Sequence, residues 1–529
     1  MKYAKILDCT LRDGGYLVDK TFGDDNINGI IKGLIDTKID IIEMGFLQNE
    51  GFGEGKTVFK NSIDAQKYIP ENRGQSIFTA FADYSRYDIN NLDEYTGKSF
   101  QAVRACFFKH ERFDVINFCK EIKRKGYLLF VQPVDILGYS DIELLDLIES
   151  INAIEPYCFS IVDTFGSMYE DDLQRVFCLI HHNLNPKCRI GFHSHNNLQM
   201  SSALSQAFLK YSYGKRDVIV DTTISGMGRG AGNTPTELVT QYMVDKLGYN
   251  YDVDYLLDVI DYYMRNIRTQ AEWGYNTHFY IAGAYSAHVN NIAYLTKKNS
   301  IKSKDIRYIL NEIGSQKRKK YDYERLEEIY LQHMQSNIDD ADDFERIKSK
   351  LSGENIVVLA AGKSIVNEKN KILDYIRSNN AKVISINYEH EDIPCDYIYI
   401  SNIKRYQNFN TTSDIPIICT SNIKQNKTDN EYLISFLRLI KCGWENMDNS
   451  TILLLRLLND IGVKNIGIAG FDGYSYDNNY AEKKYEVDIS VNEAMFINKE
   501  LEDMLNDFIQ TKHEDISVKL ITESKLSIR

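Results

Sequence analysis

Over residues 3–247, short apolar runs alternate with stretches in which apolar positions recur every three or four residues. Short apolar runs suit buried strands and the longer period suits amphipathic helices, so this rhythm predicts a parallel α/β sheet or barrel. Eight strands are predicted, beginning near Ala4, Ile39, Ser76, Ala102, Leu128, Phe159, Arg189 and Val218, with helices such as 115–125 and 141–151 between them. Eight β/α units in about 250 residues predict a (β/α)8 TIM barrel, which places its chemistry at the carboxyl ends of the strands.

Residues 251–335 are rich in helix formers and tyrosine, with 254–265 the clearest helix, and are expected to form a helical appendage to the barrel. The charged stretch 336–354 is an expected linker. A second α/β rhythm then begins, with strands predicted at 356–360, 382–387, 397–401, 417–420 and 465–469. The expected organisation is therefore a barrel over 1–250, an appendage over 251–335, a linker over 336–354 and a Rossmann-like α/β domain over 355–529.

Composition narrows the classes. Hydrophobic residues make up 43% and charged residues 26%, as in globular proteins rather than disordered or membrane ones. A net charge of −13 disfavours nucleic-acid binding, which needs basic neutralisation of phosphates. The one basic run, 317–320, is short and is followed by Asp339, Asp340, Asp342 and Asp343. With no long apolar stretch and no apolar signal core at the start, neither membrane insertion nor secretion is expected. The nine cysteines form no Cys-x-x-Cys pair, which fits reduced thiols in a cytoplasmic protein and argues against a zinc or iron–sulfur site. A homo-oligomer is compatible with all of this.

Three segments carry candidate chemistry. The first predicted strand runs into Arg12 and Asp13, at the rim where a barrel places catalytic groups. The seventh ends in His193-Ser194-His195, and side chains two apart on a strand point the same way. Two parallel imidazoles and a carboxylate form a facial site for a divalent metal, with open positions for water and substrate. The bland alternatives are a turn aspartate and a packed pair of histidines. The eighth strand leads into Gly226-Met-Gly-Arg-Gly-Ala-Gly-Asn-Thr-Pro235, whose glycines allow close backbone approach before a helix predicted near Thr234.

Together these segments resemble the metal-dependent aldolase and lyase superfamily of 4-hydroxy-2-oxovalerate aldolase, 3-hydroxy-3-methylglutaryl-CoA lyase and the 2-isopropylmalate synthases. The resemblance spans 1–247, reaching toward 310, and includes Glu43 after strand two and Val162-Asp163-Thr164-Phe165-Gly166 after strand six. It implies a carbon–carbon lyase that binds a 2-keto acid such as pyruvate, and an aldehyde, on manganese, magnesium or cobalt. Asp13, His193 and His195 would hold the metal; Arg12, Asp163, Thr164 and Asn233 would bind substrate; Arg12, Tyr16 and Glu43 would be catalytic. Asn233 would either stand behind the metal ligands or cap the following helix, and Glu43 would either orient a metal water or pair with Arg12 or Arg104. The aldolases carry a histidine three residues after the metal aspartate, where this chain has Tyr16, so His278, Tyr285 and His288 are further candidates for the base. An acyl-CoA-dependent Claisen enzyme, a degenerate binding module, and a transferase led by the second domain are the competing readings. In that domain the turns 359–364 and 470–474 vaguely resemble those of Rossmann-like domains that handle nucleotides or nucleotide sugars.

Overall fold

The computed structural model describes residues 3–528 except 52, 299–300, 335–337, 408, 410–413, 425–427, 429, 442, 448, 477–478 and 482–488. Eight parallel strands run through its first part: β1 (Ala4–Asp8), β2 (Ile41–Leu47), β3 (Ile77–Asp83), β4 (Ala102–Phe107), β5 (Leu128–Pro133), β6 (Cys158–Asp163), β7 (Arg189–Ser194) and β8 (Val218–Thr222). They lie in the order β1-β8-β7-β6-β5-β4-β3-β2, and β2 returns to β1 through Leu7 opposite Ile41 and Asp8 opposite Ile42. The sheet is therefore the closed (β/α)8 barrel that the sequence predicts. The two-residue strand Val58–Phe59 adds to the outer end of β2.

Burial explains why these strands read as continuous apolar runs. All seven residues of β2 and all six of β4 are buried, because one face meets the barrel interior and the other the surrounding helices. The register of β2 against β3 shifts between Glu43 and Phe46. Gly45 lies in this bulge at φ +149°, and a Cβ there would collide with the Thr57 carbonyl, so the strand can bend only with glycine.

The chain divides into two compact units, Met1–Ile292 with Gly314–Tyr321, and Ala293–Ile313 with Asp322–Arg529. The predicted appendage is helical, but its residues are shared between the two units. Ser303–Glu312 and Tyr323–Met334 belong to the second, where His333 Nε2 lies 3.0 Å from Asp305 Oδ1 and stacks on Tyr308. The clearest predicted helix is observed as Val253–Val259, followed by a widened turn over Ile260–Met264 and a further turn over Arg265–Arg268.

The expected linker differs most from its reading. Residues 336–337 lie outside the described residues, but Ala341–Leu351 is a packed helix. Its charges fit the helix dipole, with Asp342 and Asp343 in the first turn and Lys348 and Lys350 in the last. Phe344, Ile347 and Leu351 are buried, and Asp343 Oδ2 accepts from the Leu433 amide at 3.0 Å.

The second unit holds a parallel sheet of β9 (Asn355–Leu359), β10 (Lys382–Ile386), β11 (Tyr397–Ile400), β12 (Ile417–Thr420), β13 (Glu431–Ile434), β14 (Asn465–Ala469) and β15 (Ser517–Leu520). The order β13-β12-β11-β10-β9-β14-β15 reverses direction between β9 and β14, which makes it the doubly wound α/β domain expected. At this switch point the chain supplies its own anion. Asp472 Oδ2 accepts from the Ser364 amide at 2.7 Å, and Oδ1 accepts from the Ser364 hydroxyl, so a carboxylate occupies the turn 359–364 that resembles those of nucleotide-handling domains.

Candidate active site

The carboxyl end of β1 passes into a short helix, Thr10–Asp13, which carries Arg12 and Asp13 over the barrel mouth. β7 delivers His193, and His195 follows just past its end. The glycine loop after β8 is held against that end, because His195 and Asn233 form an antiparallel bridge and the Asn196 amide donates to the Gly232 carbonyl at 2.8 Å. Gly232 has φ +83°, and a Cβ there would strike the Gly226 carbonyl. The loop's tightness therefore depends on glycine, and the tightness is what presents Asn233 inward.

Asp13, His193 and His195 each place a ligand atom within 4.8 Å of the others. His193 Nε2 lies 3.6 Å and His195 Nε2 4.0 Å from Asp13 Oδ2, separations too long for hydrogen bonds but suited to two atoms sharing one ion. The surroundings fit such an ion. His193 Nδ1 stands 3.1 Å from Asp221 Oδ2; a carboxylate can only accept, so the shared proton sits on Nδ1 and the Nε2 lone pair faces the cluster. Burial lowers His195 to about 3 and keeps it neutral. Although burial opposes it, Arg12 and the two imidazoles hold Asp13 well below the usual carboxylate range. Burial opposes it, but Asp13 and Asp221 raise His193 above the ordinary histidine value, so a cation at Nε2 would compete with a proton there. The cluster offers one anionic oxygen and two imidazole nitrogens, a donor set for a divalent cation.

Arg12 and Glu43 are joined. Arg12 donates through Nε to Glu43 Oε2 at 2.8 Å and through Nη1 to Asp13 Oδ1 at 3.0 Å. Glu43 Oε2 also accepts from Arg104 Nη1 at 2.9 Å, so it pairs with both arginines. Arg104 further donates to Asp221 and to Gln132 Oε1. A buried row, Arg12–Glu43–Arg104–Asp221–His193, runs across the barrel to the candidate metal cluster. Sequence reading missed Gln132 and Asp221 altogether, because a lone polar residue within an apolar strand has no spacing signal; only its inward register within the barrel reveals it.

Asn233 serves the aspartate rather than the helix. Its Nδ2 donates to Asp13 Oδ2 at 2.7 Å and to the Met227 carbonyl at 3.1 Å, while the helix starts two residues later than expected, as Thr236–Leu247. Asp163 is turned away from the mouth: its oxygens accept from the Ser167 and Met168 amides and the Ser194 hydroxyl, and burial raises it to about 6. Thr164 Oγ1 accepts from the Asp135 amide at 2.8 Å.

Tyr16 packs its ring edge-on to Phe46, 5.0 Å between centroids, with the Arg229 guanidinium 4.0 Å over its face. Burial raises the phenol, with Arg229 and Arg12 pulling the other way, so it stays protonated at neutral pH. Of the three alternatives, His288 lines a cavity shared with Thr164, Phe165, His195 and Arg229. Tyr285 faces Arg318, whose guanidinium lies 5.3 Å from its ring centre, and His278 sits in the helix Thr277–Ala284; neither lines that cavity.

The HMGL-like family model matches residues 3–262. The chain is 25% identical to the 4-hydroxy-2-oxovalerate aldolase of Thermomicrobium roseum over 331 residues, which cover 59% of this chain and 86% of that one. It is 32% identical to the 4-hydroxy-2-oxovalerate aldolase of Pseudoalteromonas translucida over 202 residues, 36% of this chain and 52% of the relative. The solved HMG-CoA lyase of Bacillus subtilis aligns with 50% of this chain and 95% of its own at 17% identity and a TM-score of 0.39. Residues 3–262 are therefore an HMGL-like domain, of the superfamily of carbon–carbon lyases and aldolases.

Proposed function

We propose that the barrel makes or breaks a carbon–carbon bond next to the carbonyl of a 2-keto acid, with pyruvate the simplest partner and an aldehyde the other. The observation that carries this reading is the fixing of Arg12 beside Asp13. Two of its nitrogens are tied to Glu43 and Asp13, which leaves Nη2 as the unengaged end among the described residues. A planar guanidinium held this way donates to an oxygen that gains negative charge without reorganising during the reaction.

Manganese, magnesium or cobalt held by Asp13, His193 and His195 would supply Lewis acidity toward the keto oxygen. The protein's own groups do the rest. Arg12 steadies the same oxygen as charge accumulates there. Asp221 and Asn233 keep His193 and Asp13 aimed. The methyl proton of the keto acid passes to solvent as the enolate forms; Tyr16, protonated at rest, donates its proton to the aldehyde oxygen as the new carbon–carbon bond forms, and solvent reprotonates the phenolate.

The test needs no knowledge of the aldehyde. Purified protein loaded with manganese is incubated with pyruvate in deuterated solvent, and loss of the methyl proton signal is followed. Exchange that depends on manganese and stops on chelation is expected. A loaded protein that leaves pyruvate unexchanged would overturn the reading.

A further inference from the structure

The cavity beside the metal cluster is unusual in its charge. Its wall includes His195, and beyond that candidate metal ligand stand Arg229 and His288. Arg229 lies over the Tyr16 ring, and among the described residues no carboxylate pairs with it. Lys319, another nearby cation, lies 5.7 Å over the Phe165 ring and is bound to Asp135 at 2.6 Å. Arg229 therefore stands as an uncompensated positive charge at the rim of a half-enclosed space.

His288 adds a second donor. Its Nδ1 accepts from the Asn290 amide at 3.1 Å, which fixes the ring proton on Nε2. The imidazole is thus set as a neutral hydrogen-bond donor and is unsuited to act as a base through Nε2. Phe165, Ala287 and Val289 add apolar wall to the same cavity.

A guanidinium and an imidazole N–H in a cavity that also carries apolar wall and a candidate metal ligand match a short carbon chain that ends in an anion. We infer that the aldehyde partner carries a carboxylate or phosphate group, which Arg229 and His288 hold while its carbonyl faces Tyr16 and the metal cluster. The inference rests on the 2-keto acid reading above and names the class of its second substrate. Small neutral aldehydes would leave Arg229 unpaired in the cavity and so bind less well.

The experiment measures kcat/KM for condensation with pyruvate in two matched pairs. Succinic semialdehyde against butanal reports a carboxylate, and glyceraldehyde 3-phosphate against glyceraldehyde reports a phosphate. In at least one pair the anionic member should lead by about 10- to 100-fold, the usual worth of a charge-assisted contact. Arg229→Ala should bring that ratio to about one, Arg229→Lys should keep part of it, and His288→Phe should lower it less than Arg229→Ala. The ratio is read within each variant, so a general loss of activity does not mimic the result. Equal use of both members by the parent, or an unchanged ratio in folded Arg229→Ala, would overturn the inference while pyruvate exchange still stands. Absence of pyruvate exchange in the parent would remove the keto-acid reading and this inference with it.

Discussion

His193 Nδ1 and Asp221 Oδ2 lie 3.1 Å apart, and Asp221 is in turn bound by Arg104, so the orientation of a candidate metal ligand is set by a carboxylate on the neighbouring strand. Replacing Asp221 with asparagine removes the charge and exchanges one of its two acceptor oxygens for a donor, which weakens the hold on the Nδ1 proton. Metal affinity should fall about 10- to 100-fold, the usual cost of losing such a supporting group. His195→Ala should abolish stoichiometric binding outright. Manganese titration of the purified proteins compares the two, and undiminished affinity in both would remove the assignment of the cluster as a metal site.

Arg12→Lys should leave metal binding intact while slowing pyruvate exchange and carbon–carbon cleavage by about 100-fold or more, a loss of the size seen on deleting a charge-stabilising donor. An ammonium cannot hold Glu43 and Asp13 and still present a third donor in the same plane. Turnover close to the parent's would take Arg12 out of the mechanism.

Tyr16→Phe separates the two halves of the chemistry. Because the phenol is assigned to the aldehyde oxygen, exchange of pyruvate methyl protons should persist while condensation and cleavage slow by about 10²- to 10⁴-fold. If both rates are unchanged, the ring only shapes the pocket beneath Arg229.

Asp8 provides a test of linkage. Burial raises its carboxyl to about 6, even though Thr236 and the Thr10 amide donate to it. In the unfolded chain it would ionise near the ordinary aspartate value of 3.8. Between those values the unfolded state loses a proton that the folded state keeps, so this residue favours folding below pH 4 and progressively less up to about pH 6. Asp8→Asn should remove that slope. Relative to the parent it should gain up to about 3 kcal/mol across the window, measured by urea unfolding at each pH. A constant difference between the two proteins would show that Asp8 ionises normally when folded.

The barrel was legible because its strands are buried on both faces and its helices on one, which imprints two distinct periods on the sequence. Predicted strand starts match the structure closely, the widest gap being Ile39 against Ile41. The candidate metal cluster was legible from spacing within single segments, His-x-His on β7 and Arg-Asp after β1. What escaped was of another kind. β13 is only four residues long, and β15 sits at the sheet edge with no residue fully buried, so neither shows a strong apolar run. The helix Ala341–Leu351 hid behind its charges, which decorate its exposed face and termini while Phe344, Ile347 and Leu351 do the packing. Gln132 and Asp221 became visible only once β5 and β8 were closed around a common interior.

That closure has a consequence for how the barrel could change over time. From Arg12 to Asp221 the buried row alternates in sign before ending on His193, and each inner member is shared by two neighbours. Neutralising one position would leave the next with an unmatched charge out of reach of water, so single substitutions there are selected against even where they spare the chemistry. Divergence along the row is expected to proceed by compensating exchanges of adjoining members, and the mouth of the barrel, where Tyr16 and Arg229 stand free of the row, is where a new specificity could arise one residue at a time.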